Sequence, residues 1–143
     1  MDKSKELTAS LKLINDKVHF TGSVDGNSPV SIDYTPPLGD NLGYTSLELL
    51  LLSLSSCLGS ATLTFLRRMG KTITGFEISS RGFRKQAHPT GLSLIIMEMD
   101  ICADNLTNAE VDKVIQMSEE MYCPVWSMLK GNVTIEVKYN IAR

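Results

Sequence analysis

Between Leu49 and Leu66 the chain carries no charged side chain, and Cys57 sits near the middle of that run. The run opens and closes as a helix does. Thr45 is placed to cap the first turn, with Glu48 three residues on to complete a capping box. Arg67 and Arg68 fall in the last turn and Gly70 at the C-terminal cap position. Length alone would let such a helix cross a membrane. Ser53, Ser55, Ser56, Gly59, Ser60, Thr62 and Thr64 dilute its leucines, however, and amphipathic strand patterns flank it on both sides. We therefore expect a helix buried on nearly all sides, and no membrane span. A chain of 143 residues has little protein with which to wrap it, so a second copy is expected to cover part. Ser56 and Ser60 would permit close approach.

The length fits one domain over residues 1–143. A formal charge of -2 leaves no electrostatic footprint for nucleic acid. The first residues, MDKSKEL, contain no apolar signal segment, and a cytoplasmic chain is expected. Three cysteines, Cys57, Cys102 and Cys123, are too few for a secreted disulfide framework.

Before the helix, Leu11 and Leu13, then Val18 and Phe20, alternate with polar residues about a turn at Asn15-Asp16 and read as a hairpin. Gly22 to Pro29 is turn chemistry, and Val30, Ile32 and Tyr34 make a third strand ended by Pro36-Pro37. Leu38 to Tyr44 is a loop into the helix. After Gly70, Phe76 and Ile78 mark a strand ending near Phe83. Leu92 to Cys102 is a longer strand, with Ile95, Met97, Met99 and Ile101 on one face and Leu92 on the other. Thr107 and Glu110 form a second capping box before a helix that Pro124 interrupts. Cys123 is then placed as N-cap of a new short helix that ends at Gly131. Val133, Ile135, Val137, Tyr139 and Ile141 alternate as the last strand. The order βββ-α-ββ-α-β implies an α+β fold, with antiparallel sheet packed on the central helix.

Cys123, at a helix start, has a local reason to be acidic, whereas Cys57 lies in apolar surroundings. Taken singly, each also fits an inert buried hydrophobe. Glu48 fits either its capping box or a role holding a cation near the Cys57 sulfur. Cys102, at a strand end without a partner motif, reads as structural. His19 and His88 lack any metal-ligand spacing, and no metal or other cofactor is expected.

Two motifs together resemble the OsmC/Ohr family. SLELLLLSLSSCL, from Ser46 to Leu58, is similar to the family's cysteine-bearing helix, and MYCPVWSML, from Met121 to Leu129, is similar to its second, Cys-Pro motif. The resemblance extends from about Leu11 onward. It implies an intertwined homodimer with active sites at the subunit interface, and thiol-dependent reduction of organic hydroperoxides. By that pattern Cys57 attacks the peroxide and becomes a sulfenic acid, and Cys123 condenses with it to a disulfide. An external dithiol, lipoyl groups in the best-known branch, would reduce it again. The chain departs from the peroxidase branch twice. Val24 stands where that branch has an arginine, and Leu47 stands at its usual glutamate position, one residue before Glu48. The resemblance is thus to the broad OsmC-like branch rather than to a true organic hydroperoxide resistance protein. The departures leave room for a second reading, in which the fold binds a small apolar ligand or senses redox state without peroxidase activity. Arg67, Arg68, Arg81 and Arg84 are the candidates for a substitute cation.

Overall fold

The computed structural model of the protein describes residues 2–142. Its contacts fall into two compact units, Met1–Leu49 and Leu50–Arg143, with the boundary in the first turn of the long helix.

The first unit is a three-stranded antiparallel sheet, β1 (Ser10–Leu13), β2 (Phe20–Ser23) and β3 (Val30–Ile32), in sequence order. The expected hairpin pairs Leu13 with Phe20 and Ser10 with Ser23. Val18 falls outside it, because the Asn15 side-chain carbonyl takes the N–H groups of Lys17 and His19, both at 3.0 Å, and holds the chain in a turn until Phe20. Gly22, expected in the next turn, instead pairs within β2 with Leu11 and Val30. β3 stops before Tyr34 because the next residue, Asp33, turns the backbone. Its carboxylate is buried and accepts the N–H groups of Tyr34 at 2.7 Å, Asp40 at 3.2 Å and Leu42 at 3.0 Å. Burial alone would raise its pKa, but these three donors and nearby His19 bring it below the ordinary value. The loop thus folded returns to bridge Ile32 through Tyr44. Gly43 is needed there, since a Cβ would lie 2.3 Å from the Ser31 carbonyl oxygen.

The long helix, α1 (Ser46–Arg68), starts at the expected capping box. Thr45 donates its N–H at 2.9 Å and its hydroxyl at 2.8 Å to Glu48 Oε1. It ends as a Schellman motif: Gly70, at φ +82°, donates to the Arg67 carbonyl and Lys71 to that of Leu66.

In the second unit, β4 (Ile73–Arg84), β5 (Leu92–Ala103) and β6 (Thr134–Ala142) form one sheet in that order. β4 and β5 are antiparallel, whereas β5 and β6 are parallel, which corrects the expectation of wholly antiparallel sheet. A parallel neighbour needs a crossover long enough to return the chain to the same end. Three elements supply it: α2 (Asn108–Met117), a single π turn (Ser118–Tyr122) and α3 (Pro124–Leu129).

Ile95, Met97, Met99 and Ile101 are fully buried on the inner sheet face, as their alternation predicts. α1 lies over it. Thr62 points its hydroxyl at the Met99 sulfur, and Gly59 sits where a Cβ would meet Phe76 and Ile78. Leu92 is buried too, its side chain over Gly82 of β4, where Leu51 of α1 also lies, because the β4–β5 register shifts between Phe83 and Arg84. α2 is tied to β6 by the Tyr139 hydroxyl, which donates to Asp112 at 2.7 Å.

α1 is not buried on nearly all sides. Within this chain Leu54, Leu58, Gly59, Thr62 and Leu66 are buried, while Leu52, Ser53, Ser56, Ser60 and Thr64 are exposed. One sheet can cover only one stripe of a helix. By length and apolarity α1 would suffice to cross a membrane, but its leucine stripe is engaged with the sheet.

Leu58 sits at the centre of that stripe with no exposed surface. Leu58→Ala should cost about 2–5 kcal/mol of stability, read from denaturant unfolding, whereas Leu52→Ala on the exposed flank should cost well under half as much.

Candidate thiol site

Cys57 lies about three turns into α1 and is half-buried. Cys123 is the N-cap of α3, as expected, and only 2% exposed. Its backbone is held by an N–H donated to the Ser118 carbonyl at 2.9 Å, across the π turn, and its sulfur accepts the Trp126 N–H at 3.5 Å. Ser118 is itself buried and donates its hydroxyl to the Val114 carbonyl. The π turn thus ends the α2 segment with a fixed offset, and Pro124, lacking an N–H, starts the next helix at no cost.

These two elements bring the two thiols together. Cys57 lies close enough to Cys123 to raise the proton affinity of its sulfur, and both are free thiols. The proton affinity of Cys123 runs opposite to the sequence expectation. Burial, and after it the interaction with Cys57, raise its pKa from near 9 to about 12, and the N–H groups of Trp126 and Val125 offset only part of the rise. The amides at the helix start are present, but removing a thiolate from water outweighs them.

Cys57 opens on a cavity of about 550 Å³. One flank is the hydroxyl edge of α1, Ser53, Ser56, Ser60 and Thr64. Ser56 and Thr64 donate back to the Ser53 and Ser60 carbonyls, so toward the cavity they offer acceptors. The other flank is aromatic: Phe65 and Tyr122 meet edge-on at 4.6 Å between ring centres, and the Arg68 guanidinium lies 5.8 Å over the Phe65 ring.

Glu48 does not line this cavity, and its Oε1 is engaged by Thr45, which holds its carboxyl below the usual range. Cys102 is half-buried at the end of β5, beside Gly75, and is not part of the pair. Of the four arginines considered, only Arg68 lines the cavity; Arg81 stacks on Phe83 and Arg84 donates to Thr90. Arg68 is eleven residues from Cys57, about 16 Å along the helix axis, or roughly 10–15 Å from thiol to guanidinium once the side chain turns back over Phe65. At that range in water two unit charges interact by only about 0.3 kcal/mol, and salt screens even this. Arg68 is therefore too far to activate the thiol within this chain. Val24 lines a different cavity, of about 470 Å³, in the first unit with Leu11, Val30, Ile32 and Leu49. Sequence alone assigns Phe65 and Tyr122 no role at the thiol site, although Ala61, Thr64, Phe65 and Arg68 follow Cys57 at helical spacing and so mark its face.

The fold and the paired thiols define an α+β protein with a two-cysteine site between a long helix and a helix N-cap. The sequence profile described as OsmC-like protein matches residues 39–138, and the chain belongs to that family. No curated protein matches the sequence. Among solved structures, the chain is similar to an OsmC-like protein from Mycoplasma pneumoniae, at 21% identity over 100% of both chains with a TM-score of 0.83. It is also similar to an organic hydroperoxide resistance protein OsmC from Legionella pneumophila, at 16% identity over 96% of this chain and 97% of that one, with a TM-score of 0.69. The organic hydroperoxide resistance protein OhrB of Bacillus subtilis gives 16%, 94% and 98%, with a TM-score of 0.66. At these identities the likeness establishes the fold, and it is the expected one.

A thiol whose pKa is raised keeps its proton to higher pH in the folded chain than in the unfolded one. It contributes stability that is fully present below about 9 and is lost as pH rises through about 12. Tyr139, whose pKa its bond to Asp112 also raises to about 12, acts in the same direction. Urea midpoints should therefore fall between about pH 9 and the highest accessible pH, and the slope of that fall should be shallower in Cys123→Ala than in the parent protein.

Proposed function

We propose that the protein is a thiol-dependent peroxidase for organic hydroperoxides, acting in defence against oxidative stress. The observation that carries this reading is the proximity of a cavity-facing Cys57 to a buried Cys123 whose sulfur it helps keep protonated. In the proposed cycle the Cys57 thiolate attacks the terminal oxygen of ROOH. The S–O bond forms as the O–O bond breaks, and the alkoxide leaves and takes up a proton as ROH. Cys57 is then a sulfenic acid. The Cys123 sulfur attacks it, forming the disulfide and releasing water, with the Cys123 proton leaving in that water. An external dithiol, of the lipoyl class, returns both thiols by exchange. Cys123, kept protonated by burial, is suited to wait for the sulfenic acid rather than to compete for peroxide. Glu48, with its carboxylate turned to Thr45, is assigned the capping role in this reading rather than a catalytic one.

The proposal includes a homodimer in the cytoplasm. The exposed flank of α1 around Leu52, and the exposed Leu11, Leu13 and Ile14 of the first unit, are apolar surface that a second copy would cover. A partner could also bring a cation to Cys57 that this chain does not supply at close range. A mass in dilute solution equal to twice the chain mass is expected from sedimentation; a monomer would remove this part of the proposal.

The second reading, an apolar-ligand or redox-sensing protein without peroxidase turnover, is favoured by one observation, the valine at position 24. Mass spectrometry separates the two. One equivalent of cumene hydroperoxide should produce a Cys57–Cys123 disulfide within seconds, faster than hydrogen peroxide does, and Cys57→Ser should abolish peroxide loss. Thiols left unmodified over minutes would select the second reading.

A further inference from the structure

The turn between β4 and β5 concentrates charge of one sign. Between Glu77 and Glu98 the chain carries Arg81, Arg84 and Lys85, with His88, and no carboxylate, although its formal charge as a whole is -2. The hairpin also reaches past its sheet. β4 and β5 pair as far as Arg84 and Leu92, whereas β6 begins opposite Leu94, so the last pair and loop 85–91 have no third strand beside them. That loop is held in one shape. Lys85 donates its N–H to the Gly91 carbonyl at 2.8 Å, and the Arg84 side chain crosses to the Thr90 carbonyl, at 2.8 Å, and to the Thr90 hydroxyl, both uncharged acceptors. Arg81 and Lys85 take part in no ion pair among the described residues. Phe83 is 43% exposed, and the Arg81 guanidinium lies 5.7 Å over its ring. Half-buried Leu94 and Ile96 stand opposite these two on the same outer sheet face. Carboxylates bound the patch on the side away from the tip, Glu98 on β5 and Glu136 on β6. An exposed ring among cations suits a water–lipid boundary, where the ring moves toward the acyl layer and the charged heads stay at the phosphates.

We propose that the β4–β5 hairpin tip docks the protein reversibly on anionic phospholipid bilayers, with Phe83 among the headgroups and Arg81, Arg84 and Lys85 on lipid phosphates. Charge complementarity selects the anionic lipid, and the shape of the tip selects a fluid surface. Neither cavity described above includes a residue of the tip, and a two-stranded end has no further strand with which to form a groove for a peptide or a base. Each cation near such a surface is worth about fivefold in partition, and the aromatic ring supplies the second signal that weak electrostatic contact needs. The proposal concerns binding alone and stands apart from the peroxidase reading.

The test is sedimentation of the full chain with vesicles of phosphatidylcholine alone and of phosphatidylcholine mixed with phosphatidylglycerol. Partition to the mixed vesicles should exceed that to phosphatidylcholine by about tenfold or more at low salt, and should fall steeply as salt rises. Lys85→Glu reverses one tip charge and should lower partition by about tenfold or more. Lys113→Glu, an equal change of net charge on exposed α2, should lower it less than about threefold. Phe83→Ser should weaken partition at every salt concentration, and in Phe83→Trp the indole emission should shift to the blue when mixed vesicles are added. All four positions are exposed, and an unchanged urea midpoint would show that each variant is folded. No partition to the mixed vesicles at low salt, or equal losses in Lys85→Glu and Lys113→Glu, would overturn the assignment. Retention on single-stranded DNA that depends on Lys85, without partition to vesicles, would overturn it in favour of a polyanion site. Partition without peroxide turnover would uphold the assignment and count only against the peroxidase reading.

Discussion

Leu54, Leu58, Thr62 and Leu66 recur along α1 at three- and four-residue steps, and the sheet beneath them presents Ile95, Met97, Met99 and Ile101 with no exposed surface. Each large side chain so buried contributes about 1.5–3 kcal/mol. The site inherits its geometry from this contact. Cys57 is one residue from Leu58, about 100° round the helix, so fixing the leucine stripe on the sheet fixes the thiol on the flank. The same rotation presents Ala61, Thr64, Phe65 and Arg68 beside it. A helix free to roll on its sheet would have no defined cavity, and the small Gly59, seated against Phe76 and Ile78, helps set how closely α1 approaches.

The second thiol depends on a different constraint. Because β6 lies parallel to β5, the chain must recross the sheet, and α2, the π turn and α3 fill that crossover. The π turn inserts an extra residue per turn, and Cys123 emerges at the start of α3 facing Cys57. Here the helix start and the protein interior pull on the sulfur in opposite directions. Two backbone donors favour the thiolate, and near-complete burial disfavours it by more. The result is two chemically identical side chains in different surroundings, one half-buried beside a cavity and one buried with its proton held, set by environment alone.

The first unit is organised by a buried charge rather than by a buried helix. Asp33 gathers three backbone N–H groups and so fixes the loop that runs to the Thr45–Glu48 cap. That device leaves no period in the sequence, since one aspartate among many looks like any other until its donors are placed. Glu48 is the contrasting case: its capping partner is local, so its structural role could be read directly, whereas a role near Cys57 would have needed the tertiary structure to create it.

Local order was legible because it depends on neighbours in the chain. The capping boxes at Thr45 and Thr107, the Gly70 terminus, the Cys123 N-cap before Pro124, and the alternation of Ile95, Met97, Met99 and Ile101 all follow from steric and hydrogen-bonding rules acting within a few residues. The two motifs, in order, also named the family and picked out the cysteine pair. What needed the tertiary structure was everything set by contacts between distant segments. The parallel β5–β6 pairing, the one-sided burial of α1 and the reversal of the Cys123 proton affinity belong there, as does the choice of Arg68 from four arginines. Sequence carries each side chain's chemistry and its local backbone preference. Burial, and with it the dielectric, the partners and the distances that decide what that chemistry does, exists only once the chain has closed on itself.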